Sequence, residues 1–76
     1  MRVVRHIEGF EERVLQALWY VKDVKGLSGS TVAERMGITR NHLYEKCNWS
    51  AWKLARFCAV TGVRSDWLLG LGGEMT

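Results

Sequence analysis

The chain contains no proline and only two cysteines among its 76 residues. Without proline, no position is forced to interrupt a helix. No stretch approaches the ~20 consecutive apolar residues of a membrane-spanning helix, so we expect no membrane partner. No charged segment followed by an apolar one, of signal-peptide form, is visible either. We therefore expect a cytoplasmic protein in which both thiols are reduced.

Residues that bind metals or perform catalysis are also scarce. The soft metal ligands are two histidines and two cysteines, and no pair of them has the C-x-x-C or H-x-x-x-H spacing of a zinc site. We find no Ser-His-Asp arrangement, no carboxylate pair in an apolar cleft and no phosphate-binding glycine loop. The sequence therefore predicts a protein that is not an enzyme and has no metal, cofactor or small-molecule ligand.

The charge is modest but unevenly distributed. The formal net charge is +3, and residues 39–64 hold five Lys or Arg against one acidic residue. Residues 1–38 are nearly balanced, with six basic and five acidic residues. A local positive excess is typical of a surface that binds phosphates. A solvated basic face is the alternative interpretation.

Apolar residues recur at helical spacing along most of the chain. From about residue 8 to residue 25 they follow steps of three and four, at Ile7, Phe10, Val14, Ala17, Leu18 and Val21. Ser50 can cap a later helix whose shared face holds Ala51, Leu54, Phe57, Cys58 and Thr61. A last short helix is predicted over residues 66–69.

These segments predict one all-α domain over residues 1–76, a compact bundle of about five short helices. Residues 1–7 form an N-terminal arm that could be a strand or the start of a helix. Residues 70–76 include three glycines and are expected to be a flexible tail.

Residues 29–48 have the pattern of a helix-turn-helix. Val32, Ala33 and Met36 share one face of a first helix, which Ser28 or Ser30 could cap. Gly37 follows where a positive φ is favourable only without a Cβ atom. Thr39 can cap a second helix, and Leu43 can point back at the first. This arrangement presents the outer face of the second helix to a DNA major groove.

Residues 32–40, Val-Ala-Glu-Arg-Met-Gly-Ile-Thr-Arg, resemble the Leu-Ala-Glu-Lys-Leu-Gly-Val-Ser-Arg run of the lambda-repressor/Cro-like (XRE-type) helix-turn-helix family. Residues 21–28 and 62–70 resemble the end of that family's helix 1 and its final helix. The resemblance implies a lambda-repressor-like bundle. It also implies a sequence-specific, double-stranded DNA-binding regulator of transcription, of the phage Cro or repressor type, that occludes promoters at an operator.

The second helix holds the candidate base-reading residues. Stepping 100° per residue from an inward Leu43 places Asn41 and Glu45 outermost, about 160° away, with His42 and Tyr44 beside them. The resemblance implies base-reading roles for Arg40, Asn41 and Glu45, with His42 alongside. Arg can bond guanine, Asn can pair with adenine, and a carboxylate can accept from cytosine. An ordinary solvated helix face would contain similar residues.

The resemblance also implies phosphate-binding positions at Ser28, Thr39 and Asn48, which would set register without reading sequence. Two basic residues, Lys46 and Lys53, are added as further candidates, for which an ordinary surface cation is the alternative. One departure from the family pattern is Gly29, which stands where a glutamine is common.

Several apolar side chains are expected outside the core. Leu15 and Trp19 lie off the main face of the first helix, and Trp52 points outward beside Arg56. Cover by the arm or by the terminal helix around Trp67 is one explanation. The other is a weak homodimer that tightens on a two-half-site operator. Two other functions stay open: a protein-interaction module on the same fold, and an architectural or accessory DNA-binding factor.

Overall fold

A computed structural model describes residues 8–45 and 49–76, and this part of the chain contains five α-helices and no strand. The prediction of a small all-α bundle of five helices is confirmed. None of these helices is long and apolar enough to cross a membrane. The predicted N-terminal arm and the residues Lys46, Cys47 and Asn48 lie outside the described residues. The helices are α1 Phe10–Lys25, α2 Gly29–Met36, α3 Arg40–Leu43, α4 Ala51–Thr61 and α5 Ser65–Leu68.

Three helices begin at a hydroxyl side chain. Ser28, Thr39 and Ser50 each accept a hydrogen bond from the backbone N–H three residues further on, over 3.2, 3.1 and 3.2 Å. Each bond satisfies one of the free N–H groups that a helix start leaves without an internal partner. The capping predictions for Thr39 and Ser50 are confirmed, and Ser28 rather than Ser30 caps α2.

The turn between α2 and α3 is built on Gly37, whose φ is 79°. Its N–H donates to the Glu34 carbonyl over 3.0 Å, and the next N–H, from Ile38, donates to Ala33 over 3.0 Å. A residue with a Cβ atom is strained at this φ, so glycine permits the sharp change of direction. Ala33 is buried, which allows α3 to approach α2 closely.

Trp49 lies at the centre of the core. Its ring packs edge-on against Phe10 of α1 and Phe57 of α4, with both pairs of ring centroids 5.4 Å apart. Its indole N–H donates to the Glu45 carbonyl over 3.0 Å. The sequence analysis gave Trp49 no role. The structure shows that this indole joins α1 and α4 to the chain that leaves α3.

Three basic side chains bind carbonyl groups at the C-terminal ends of helices. Arg13 Nε donates to Leu68 of α5 over 2.8 Å, and Lys25 Nζ donates to Thr61 of α4 over 2.8 Å. Lys53 Nζ donates to the carbonyl of His42 in α3. The last carbonyls of a helix have no internal donor and carry partial negative charge, so cations are favoured there.

The C-terminal segment over residues 70–76, which the sequence predicts to be a flexible tail, contacts the bundle. Arg64 N–H donates to the Met75 carbonyl over 2.7 Å, and Leu71 N–H donates to Asp66 over 2.9 Å. Met75 packs against the core, although Leu71 stays exposed. The glycines of this segment allow the chain to fold back over α5.

The substitution Leu43→Ala tests whether α3 is held by its one buried side chain. Leu43 has no exposed surface, so the change should lower the free energy of unfolding by about 2–5 kcal/mol. The same substitution at Leu71, which is 76% exposed, is the matched control and should change it by less than about 0.5 kcal/mol. Urea titration measures both, and equal effects would show that Leu43 does not anchor α3.

Candidate nucleic-acid interface

The helix proposed to read DNA is a single turn. α3 covers Arg40–Leu43, and Tyr44 is its C-terminal cap. Leu43 is buried, whereas Arg40, Asn41 and His42 are exposed. The structure therefore brings three of the candidate base-reading side chains together on the outer surface of one short turn.

Glu45 was expected on the outer face of the same helix, and that placement was wrong. The helix ends at Leu43, so stepping by 100° per residue does not continue to residue 45. The Glu45 N–H instead donates to the His42 carbonyl over 3.3 Å, as the chain turns toward Trp49. The Glu45 carboxylate is exposed and lies 3.7 Å from His42 Nε2. It can therefore orient His42 from beside the helix.

Tyr44 lies between α3 and the start of α2. The Arg40 guanidinium stacks over its ring, 5.2 Å from the ring centroid, in a cation–π contact. The Tyr44 hydroxyl comes so close to Gly29 that a Cβ atom there would overlap it. The departure from the family pattern at Gly29 thus has a physical reason, because glycine leaves room for Tyr44. Tyr44 in turn provides the ring on which Arg40 stacks.

A surface pocket of about 240 Å³ lies beside this contact. Ser28, Gly29 and Ser30 line it at the start of α2, and Arg40 and Lys22 add two positive charges. The resemblance implied phosphate contacts at Ser28 and Thr39, and the structure places both hydroxyls at exposed helix caps. Lys22 was not among the candidates. The sequence signal for Lys22 is its position in the last turn of α1, a few residues before the Ser28 cap of α2.

Lys53 was expected to contact phosphates, and the structure contradicts this. Its side chain is only 2% exposed, with Nζ 4.4 Å from the centre of the Trp49 ring and donating to the His42 carbonyl. The sequence spacing indicated this burial, because Lys53, Phe57 and Thr61 follow steps of four and form the buried face of α4. The other two candidates, Lys46 and Asn48, lie outside the described residues.

The positive surface is therefore smaller than the sequence count indicates. Besides Arg40, the exposed cations after residue 39 in the described chain are Arg56 and Arg64. Arg56 stacks over the half-exposed Trp52 ring, 5.4 Å from its centroid. Arg64 pairs with Asp66 over 3.8 Å.

Cys58, on α4, is half-buried. Burial raises the pKa of the Cys58 thiol above its ordinary value, so it is protonated at neutral pH. Within residues 8–45 and 49–76, no three His, Cys, Asp or Glu side chains are placed to hold a metal ion.

The substitution Lys53→Ala should act on folding. It removes the charged donor to the His42 carbonyl, and loss of a hydrogen bond from a charged group costs about 1.5–3 kcal/mol. Arg56→Ala, on the same helix with the same change of charge, should change the free energy of unfolding by less than about 0.5 kcal/mol. Urea titration compares the two variants. Equal stability would mean that the Lys53 side chain lies in solvent.

The contact between Gly29 and Tyr44 can be tested with a double-mutant cycle. Gly29→Ala should displace the Tyr44 ring in the parent chain, and should be accommodated in a Tyr44→Ala chain, where helix propensity favours alanine. We expect a coupling free energy of about 0.5–3 kcal/mol from thermal or urea unfolding of the four proteins. Additive effects would contradict the close packing of these two residues.

Comparison with known proteins was made on the sequence and on the fold. No family model, no curated protein and no solved structure matches this chain. The interpretation of the α2–α3 unit therefore depends on its own residues and geometry.

Proposed function

We propose that this protein is a sequence-specific, double-stranded DNA-binding regulator of transcription that occludes a promoter at an operator, as a phage Cro or repressor does. One observation carries the proposal. The glycine turn at Gly37 places the single turn α3 against α2, with Leu43 inward and Arg40, Asn41 and His42 side by side outward. That arrangement is the one a helix-turn-helix uses to enter a major groove.

The exposed residues of α3 have suitable chemistry for reading bases. A guanidinium can donate two hydrogen bonds to guanine O6 and N7, and the Asn41 amide can pair with adenine N6 and N7. Arg40 is held over the Tyr44 ring, which limits its orientations before binding. Less side-chain entropy is then lost when it bonds a base. We therefore assign the main base contacts to Arg40 and Asn41, with His42 beside them.

The groups around α3 are suited to bind the DNA backbone. The Ser28 and Thr39 hydroxyls lie at the starts of α2 and α3, where backbone N–H groups also point outward. A helix start attracts phosphate because its N–H groups are free and carry partial positive charge. Lys22 and Arg40 add full charges beside the start of α2. These contacts would fix the register of α3 in the groove.

The burial of Lys53 lowers the expected electrostatic contribution. Affinity that comes from released counterions grows with the number of phosphates that cations neutralise. Few exposed cations surround α3 in the described chain, so the proposed complex depends more on base and hydroxyl contacts.

Arg40→Ala should weaken binding to a site selected from random duplex DNA by about 1–3 kcal/mol. The matched control is Arg64→Ala, which removes the same charge from the start of α5, where Arg64 pairs with exposed Asp66. Fluorescence anisotropy on the same duplex measures both. Equal losses would show that charge alone matters and would contradict a reading role for Arg40.

Asn41→Ala should reduce preference at one base pair and leave the others unchanged, because each side chain reads its own position. Repeating the selection with this variant measures the change. An unchanged preferred sequence would remove Asn41 from the interface. Absence of DNA binding by the parent chain at low salt would overturn the proposal. It would favour a protein-interaction module, for which the exposed Trp19 and Trp52 rings are suited.

A further inference from the structure

The outward face of α1 carries four residues in a regular pattern. Glu12, Leu15, Trp19 and Lys22 are separated by three, four and three positions, and all are exposed. Residues at this spacing form one stripe along a helix, the spacing of a seam that packs against a second helix. The opposite face of α1 already fills the core with Phe10, Val14, Ala17, Leu18 and Val21. α1 is therefore apolar on two sides.

The middle of this stripe is unusually apolar for a surface. Trp19 is 74% exposed and Leu15 is 48% exposed. A depression of about 410 Å³ lies beside them, lined by Leu15, Gln16 and Trp19. α5, which could have covered this face, packs against the core through Leu68 and leaves both side chains exposed. Removal of this surface from water would contribute about 25 cal/mol per Å².

The order of the four residues selects the partner. Read in either direction, the spacing is the same, but the charges at the two ends are opposite. An antiparallel copy of α1, related by a two-fold axis near Ala17, places Glu12 opposite the partner's Lys22. It also places Leu15 opposite the partner's Trp19. Each contact then occurs twice, as a two-fold interface requires.

We propose that this stripe, the α1 seam (Glu12, Leu15, Trp19 and Lys22), is the surface through which two copies of the chain form an antiparallel homodimer. Parallel pairing would place like charges together at both ends of the seam, so the charges favour the antiparallel arrangement. Among the described residues neither Glu12 nor Lys22 makes an ion pair. Both are therefore available for the partner.

The same pairing predicts a weak dimer. The seam offers two large apolar side chains per copy, less than the ~800 Å² per partner of a standard stable interface. The antiparallel pairing also brings Glu11 near the partner's Asp23 at the edge of the interface. Water and salt screen the repulsion between these two carboxylates. The dimer does not depend on DNA binding. A duplex with two half-sites would tighten it, however, by raising the effective concentration of the second copy.

Sedimentation equilibrium of the full chain tests the proposal. The parent chain should show a monomer–dimer equilibrium. Glu12→Lys and Lys22→Glu should each weaken the dimer at least about tenfold, because each turns both end contacts repulsive. An equimolar mixture of these two variants should recover dimer. In the mixed dimer, one seam has a basic residue at both of its ends and the other has an acidic residue at both. Both end contacts between the two copies are therefore attractive again.

Trp19→Ala should leave the chain monomeric. Trp52→Ala, the same change at an exposed side chain of α4, should give a protein that dimerises like the parent. A monomeric parent chain, a Trp19→Ala variant that dimerises normally, or a mixture no better than its components would overturn the proposal. Trp19 and Lys22 also line the pocket beside α2, so substitutions there can change DNA affinity without changing dimerisation. The quantity to measure is therefore the molecular mass and not the DNA affinity. A parent chain that dimerises without binding DNA would overturn the proposed function and leave the α1 seam intact.

Discussion

The packing of Trp49 is the interaction on which the rest of this structure depends. The indole touches one aromatic ring from α1 and one from α4, and its N–H binds the chain just after α3. A single turn of helix is unstable alone, because few hydrogen bonds form for each residue that is ordered. α3 is therefore stabilised by the residues around it. Leu43 enters the core, the Trp49 indole binds the Glu45 carbonyl just after the helix, and Lys53 binds the His42 carbonyl.

The second constraint is the number of helix ends in so small a domain. Five helices in 76 residues leave many backbone groups without internal partners. Hydroxyl side chains satisfy three of the starts, while Arg13, Lys25 and Lys53 donate to carbonyls at three of the C-terminal ends. Basic residues that composition assigns to a nucleic-acid surface are thus partly used to hold helices together. Of the cations that stay exposed in the described chain, Lys22 and Arg40 lie beside the start of α2.

Much of the candidate site follows from local sequence. Thr39 and Ser50 cap their helices as predicted, Gly37 makes the turn, and Leu43 faces inward, because each depends on contacts a few residues away. Glu45 and Lys53 were misplaced for a different reason. The position of Glu45 depends on where α3 ends, and its carbonyl accepts a hydrogen bond from the buried Trp49 indole. Lys53 is buried because its ammonium lies over the Trp49 ring and donates to a carbonyl on another helix.

The sequence by itself determined the helical class, the glycine turn and the outward residues of α1 and α3, since periodicity and caps are properties of neighbouring residues. Only the tertiary structure decided the length of α3, the carbonyl to which the buried Lys53 ammonium donates and the return of the tail to Arg64. It also brought the Tyr44 hydroxyl against Gly29 and placed the Tyr44 ring under the Arg40 guanidinium. Each of these depends on pairs distant in the chain or on the close fit of two side chains, and neither leaves a periodic signal in the sequence.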